Sequence, residues 1–289
     1  MVTDSTDLKA PDDLRRRRLG LLFRSRTFLV GAAIVTFWLL CAILGELITP
    51  YDPAGTAADI LRKNLPPSAT NWFGTDQIGR DVFSRVIAGA RSILIIAPAA
   101  TLLGTVLGTA LGLITGYARG ILDDIISRAI DAFLSIPLVI TAMVALAALG
   151  PSTLGLIIVI GLVFTPVISR TVRAAVLAER ELEYVAAARL RREASAHIMF
   201  VEILPNVMGP ILVEFTVRLG YAIFTVITLS FLGLGLSPST PDWGIAIFQH
   251  YALLNGGIWW PVLFPALAIA SLVVAVNLVS DGIAAVFEQ

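Results

Sequence analysis

The chain has 289 residues, of which 57% are hydrophobic and 15% charged, against roughly 45–50% and about 25% in an ordinary soluble domain. That balance argues against a soluble fold and makes the lipid-crossing helix the unit to count. Its 21 basic and 21 acidic side chains cancel, so net charge offers no case for binding nucleic acid. The single cysteine, Cys41, sits in an apolar run. It excludes an intramolecular disulfide and any multi-cysteine metal site, and its expected role is packing. Lysine occurs only as Lys9 and Lys63, neither preceded by glycine. The chain therefore lacks a GxxxxGK[ST] phosphate loop and is not a P-loop ATPase by itself.

A crossing needs about 20 mostly apolar residues. Such runs lie at 28–48, 92–117, 129–150, 154–172, 207–236 and 260–283, which predicts an all-α polytopic membrane protein of six transmembrane helices. Segment 1–27 is a basic N-terminal stretch carrying Arg15, Arg16, Arg17, Arg18, Arg24 and Arg26. It resembles the start of a signal peptide, but the following apolar run is too long and no A-x-A site closes it, so the helix is read as retained. Arginines concentrate in the segments that are inner if the N-terminus is inside, including Arg119, Arg128, Arg170, Arg173, Arg180 and Arg189. Positive residues stay on the cytoplasmic side, giving an N-in, C-in bundle.

Two stretches outside the spans are long enough to have tasks. The outer loop 49–91 opens with Pro50, Pro53, Pro66 and Pro67 and then carries Val82, Phe83, Val86 and Ile87 at helical spacing, which predicts an interfacial amphipathic helix. The inner loop 178–206 is rich in Ala, Leu, Arg and Glu and ends at Pro205, predicting a helix, a turn and a second short helix. A connector of this length exceeds what closure requires, which suggests contact with a cytoplasmic partner; the core of five helices, 92–289, contains it.

Several motifs carry a family resemblance. Tyr184-Val185-Ala186-Ala187-Ala188 followed by Ile203-Leu204-Pro205-Asn206 resembles the EAA…G…I-LP loop of ABC importer membrane subunits. NWFGTDQIGRDVFSRVIAGAR at 71–91, DAFLSIPLV at 131–139, LSFLGLGLSPSTPDWG at 229–244 and SDG at 280–282 are similar to the C-type permease of dipeptide/oligopeptide importers. The resemblance implies a type I ABC importer permease fold in a bacterial cell membrane. It also implies pairing with a homologous B-type permease as a heterodimer, two ATPase subunits or a fused ATPase that hold ATP and Mg, an extracytoplasmic binding protein, and a peptide substrate. By this reading the chain is noncatalytic and binds no cofactor. A haem or nickel-complex ligand is the alternative within the family; a stand-alone secondary transporter is the alternative outside it, and it lacks the repeats and broken helices such proteins show. A membrane-embedded enzyme is disfavoured by the want of a nucleophile–base or metal-ligand cluster.

The resemblance puts the ATPase-coupling residues at Tyr184, Ala186, Ala187, Ala188, Arg192, Glu202, Leu204 and Pro205. Arg192 stands where the family has its turn glycine, and Glu202 at the more variable "I" position. Either the turn has another geometry, which is the favoured reading, or Arg192 pairs with the ATPase. Within the spans, Glu214 and Arg218 share a helix face at i, i+4 and are either path residues or a structural pair. Gly79, Arg80, Asp81, Asp242 and Trp243 are candidates for an outer gate or binding-protein contact. Trp259 and Trp260 suit an interfacial belt, Gly104, Gly108, Gly112 and Gly116 suit packing against the partner permease, and His197 and His250 read as solvated loop residues. No metal site is assigned.

Overall fold

The computed structural model describes residues 25–55 and 60–287; the basic run through Arg24 lies outside them. The longer helices are α1 (Arg26–Ile48), α2 (Val82–Ala118), α3 (Ile121–Leu134), α4 (Leu138–Leu149), α5 (Thr153–Glu179), α6 (Glu183–Leu190), α7 (Met208–Phe231), α8 (Trp243–His250) and α9 (Trp260–Phe287). Five of these, α1, α2, α5, α7 and α9, are long and apolar enough to cross a membrane. Counting α3 and α4 together as one bent crossing gives six.

That bend corrects the expected straight third span. The two halves meet at 87°, because Ile136 precedes Pro137 and proline pushes the residue before it out of the helical region. α4 alone, at 12 residues, rises about 18 Å, short of the roughly 30 Å hydrocarbon core. The expected interfacial helix after Arg80 is also absent as a separate element. Residues from Val82 onward are the first turns of the 37-residue α2, and both its apolar face (Val82, Val86) and its polar face (Ser84, Arg85) are buried. An interfacial helix would leave one face wet.

α2 and α5 form the central pair and run parallel, each step of four along α2 meeting a step of four along α5. An added Cβ at Gly108 would stand 2.8 Å from Ile168 Cβ, at Gly112 2.7 Å from Val172 Cβ, and at Gly116 2.8 Å from Val176 Cβ. The glycine stripe is therefore spent inside the chain, not on a partner permease; with lipid outside, close backbone approach is what holds such helices together. α1 rests on α9, where Trp38 Nε1 donates to Ser271 Oγ at 2.9 Å. Ser280 Oγ donates to the Thr216 carbonyl at 2.9 Å and ties α9 to α7. Leu40, Ile43 and Leu47 of α1 remain exposed, as surfaces facing lipid or a neighbouring subunit require.

Candidate functional site

The cytoplasmic loop is built on α6. Its inner face, Val185 and Ala188, is buried with Ile198 and Ile203 in the core. Its outer face presents Ala186, Leu182 and Leu190, the last 85% exposed. Of the three alanines predicted to admit a partner, Ala186 thus faces out, Ala187 is half-buried and Ala188 seats the helix against the bundle.

Beyond α6 the chain stays helical from Ser195 to Asn206, passing through a π turn at Ile198–Ile203. The Leu204 N–H bonds five residues back to the Met199 carbonyl. Pro205 explains the widening: it has no N–H and its ring would press on the Val201 carbonyl, so the backbone shifts register around it. The expected second short helix is present; proline reshapes it and leads into α7. Leu204 is half-buried and Pro205 exposed at this junction.

Arg192 has φ 60°. Its N–H bonds to the Arg189 carbonyl at 2.9 Å, and the Glu193 N–H to the Ala188 carbonyl at 3.2 Å. This pair is the Schellman closure of a helix, normally made by glycine at the left-handed position. The altered turn favoured from sequence is therefore not what forms: the glycine-type turn is kept with arginine occupying it. The Arg192 side chain is exposed.

The loop is tied to three spans. Arg180 Nη1 donates to the carbonyls of Gly116 at 3.2 Å and Tyr117 at 2.6 Å, capping the C-terminal end of α2, and the Arg189 guanidinium lies 5.1 Å from the Tyr117 ring centre. Burial, with Arg119 and Arg189 nearby, lowers the Arg180 pKa from its ordinary value. Tyr184 Oη donates to Glu179 Oε1 at 2.8 Å and accepts from Asn206 Nδ2 at 3.1 Å. That one hydroxyl joins the end of α5, the start of α6 and the approach to α7. Burial and the Glu179 carboxylate push the Tyr184 pKa up to about 12, so it stays a protonated donor. The loop around α6 is therefore in contact with α2, α5 and the approach to α7 together.

Glu202 faces Arg191 at 3.8 Å, and Arg191 also grips Glu193 at 2.7 Å. Glu193, His197 and Glu202 bring ligand-type atoms within 4.8 Å of one another, a grouping not foreseen from spacing. The Arg191 guanidinium lies against both carboxylates and offsets one of their two charges. His197 is exposed as expected.

In the spans, Arg218 Nε donates to Glu214 Oε1 at 2.6 Å, and Thr171 on α5 donates to Glu214 Oε2 at 3.3 Å. Both charged side chains are mostly covered, so the pair joins α7 to α5. Sequence reading passed over a stronger pair: Arg173 on α5 clasps Asp123 on α3 through Nε at 2.7 Å and Nη2 at 2.6 Å. Fifty residues separate them, so no i, i+4 spacing announces the contact.

The opposite, extracytoplasmic end is a buried polar cap. Asp81 caps α2, accepting from the Ser84 N–H at 2.8 Å and from Asn71 Nδ2 at 2.7 Å. Arg80 pairs with Asp76 at 2.6 Å and reaches Gln249 at 3.0 Å. Asp242 caps α8 through the Ile245 N–H at 2.9 Å, and burial raises its pKa. Trp243 is 1% exposed and donates to the Val86 carbonyl at 2.8 Å. Gly79 has φ 87° and turns the chain into Arg80. Arg80, Asp81, Asp242 and Trp243 are all buried, so they hold the cap together and offer no direct contact surface for a binding protein. His250 is likewise 1% exposed at the end of α8, not in a solvated loop; its Nε2 lies 3.7 Å from Asp76 Oδ2, and burial lowers its pKa. Trp260 is buried too, its Nε1 donating to the Thr75 carbonyl at 2.9 Å, whereas Trp259 stays 45% exposed.

Comparison with known proteins bears on both ends. Residues 108–289 match the family described as binding-protein-dependent transport system inner membrane component, and residues 16–67 match the N-terminal TM domain of oligopeptide transport permease C. The chain is 36% identical over 88% of its length to the di/tripeptide transport system permease protein of Pseudomonas aeruginosa, covering 84% of that protein. It is 37% identical to the dipeptide transport system permease proteins of Alkalihalophilus pseudofirmus, over 93% of this chain and 87% of the relative, and of Escherichia coli, over 90% and 88%. The first family match spans most of the chain, and the chain belongs to the binding-protein-dependent transport family as a multi-pass, noncatalytic inner-membrane permease subunit of an ABC importer, whose ATP is hydrolysed by separate subunits.

Proposed function

We propose that this subunit forms one half of the path of a di- and oligopeptide importer, paired with a homologous B-type permease and driven by two ATPase domains below. The observation that carries the reading is α6. It holds its core contacts through Val185 and Ala188 while presenting Leu182, Ala186 and Leu190 to the cytoplasm, a small apolar projection suited to a groove in a soluble ATPase. The hydroxyl of Tyr184 and the guanidinium of Arg180 carry movement of that projection into α2, α5 and α7. Alternating access follows: closure of the ATPases pushes α6, the spans tilt, and the path opens toward a loaded binding protein. Peptide as cargo is supported by the relatives' names, all of them peptide permeases.

The test is reconstitution of the tagged chain with its genomic neighbours in liposomes. ATP-dependent uptake of a dipeptide presented by the cognate binding protein is expected. Uptake of haem or a nickel complex in its place would overturn the peptide assignment, and ligand transport by the chain alone without ATP would overturn the importer reading altogether.

A further inference from the structure

Three acid–base pairs surround one stretch of α5, and they differ in kind. Arg173 with Asp123, and the Glu214–Arg218 pair that Thr171 joins, are tight and mostly covered. The third is loose and open: Arg170 Nη2 lies 3.5 Å from Asp131 Oδ1, with side chains 61% and 59% exposed. Arg170 precedes the cytoplasmic Arg180 by ten residues, or about 15 Å along the helix axis. The apolar run of this span ends at 172, so the pair sits near its cytoplasmic end, at the inner mouth of the bundle. An exposed pair of charges there does not face lipid; it faces the aqueous mouth or the neighbouring permease.

Beside it is a recess of about 230 Å³ lined by Ser127, Ile130, Asp131, Ser169, Arg170 and Arg173. The Asp123–Arg173 clasp holds α3 across α5 and so keeps the recess open between them. We propose that this recess is a transit site on the wall of the translocation path, where Asp131 and Arg170 part to meet the ammonium and carboxylate termini of a zwitterionic peptide. This rests on the peptide reading above. A zwitterion leaving bulk water loses hydration at both ends. A loosely joined acid and base can exchange each other for those termini, so every charge keeps a partner throughout, and a pair 3.5 Å apart, beyond the usual hydrogen-bond range, gives up little on opening.

The test uses the complete reconstituted transporter with Cys41 replaced by alanine. Ile130→Cys in the recess and Leu162→Cys on the exposed apolar face of α5 are treated from the cytoplasmic side with a charged, membrane-impermeant thiol reagent. Ile130→Cys should react at least about tenfold faster, since thiol attack needs water-solvated thiolate; equal rates would overturn the placement of the recess on an aqueous path. Asp131→Asn and Arg170→Gln should each reduce dipeptide uptake per ATP hydrolysed by about tenfold, the factor that one charge-assisted hydrogen bond supplies. Wild-type coupling in both variants would overturn the transit role, as would loss of the assembled complex, which would mark a structural pair. If the unaltered transporter takes up no dipeptide, the peptide reading and the ligand named here fail, while the labelling contrast still decides whether the recess is wet.

Discussion

Replacing Arg192 by glycine tests the closure of α6 directly. The left-handed backbone at φ 60° costs an L-residue about 1–2 kcal/mol that glycine does not bear, while glycine's greater freedom in the unfolded chain returns about 0.5–1 kcal/mol. The Arg192→Gly loop should therefore be more stable by about 0.5–1 kcal/mol, a factor of about two to five in an opening equilibrium. The reporter is the Glu193 amide, whose bond to the Ala188 carbonyl exists only while the turn is closed. Hydrogen exchange on the purified complex should show that amide protected about two- to fivefold more strongly than wild type. Arg192→Ala, which keeps the strained φ, should stay at the wild-type level. Arg192→Pro should open the turn, since proline fixes φ near −65° and removes the N–H that bonds to Arg189. Faster exchange in Arg192→Gly, or equal gains in the glycine and alanine variants, would refute the backbone argument. Loss of ATPase copurification in the glycine variant would show the guanidinium to be a docking contact in its own right.

Gly112→Ala brings a Cβ 2.7 Å from that of Val172 and should force α2 from α5 at a cost of about 1–3 kcal/mol, read as a lowered unfolding temperature in detergent; an unchanged value would mean the helices can part freely there. Tyr184→Phe removes the hydroxyl shared by Glu179 and Asn206 and should cost about 1–2 kcal/mol, with transport per ATP falling more than complex assembly; equal losses would argue against a transmitting role. The cap should also respond to pH. Burial lowers the His250 pKa, so the folded state holds His250 neutral while the unfolded chain takes up a proton below about pH 6.5. Stability from this group is therefore fully present above that pH and declines as pH falls through it toward the lower folded value. Asp76, Arg80, Arg85 and Asp242 share its surroundings, and Asp242, with a raised pKa, acts in the opposite sense in its own window above about pH 3.8. Thermal unfolding followed from about pH 7.5 to 5.5 should show the decline, and His250→Gln should flatten it; the same slope in both would place the titrating group elsewhere.

Much of this molecule is legible in one dimension because lipid imposes a simple rule. Apolar runs of sufficient length must become helices, so α1, α2, α5, α7 and α9 appear within a few residues of where hydropathy puts them, apart from the further turns that α2 gains at its start and α5 at its end. The coupling loop is equally local: the alanine run, the departure at Arg192 and the proline at 205 are visible as residues, and its inner location follows from arginine placement. Composition also decides that ATP must be handled by another chain, since no phosphate loop is present.

Side-chain partners across the bundle are another matter, because they depend on which helices meet and at what level. Nothing in the spacing of Asp123 and Arg173 joins them, and the 87° bend at Pro137 is what lays α3 across α5 and makes the contact. The glycine stripe of α2 has the same sequence signature whether it packs on a partner or on α5; only the fold selects α5. Trp243 reads as an outer-gate or binding-protein contact and His250 as a solvated loop residue until α8 folds back under the cap and buries them beside Val86 and Asp76. Arg192 shows the division most clearly: sequence names the residue that departs from glycine, but only packing of α6 on the core supplies the energy that holds an arginine in a left-handed turn.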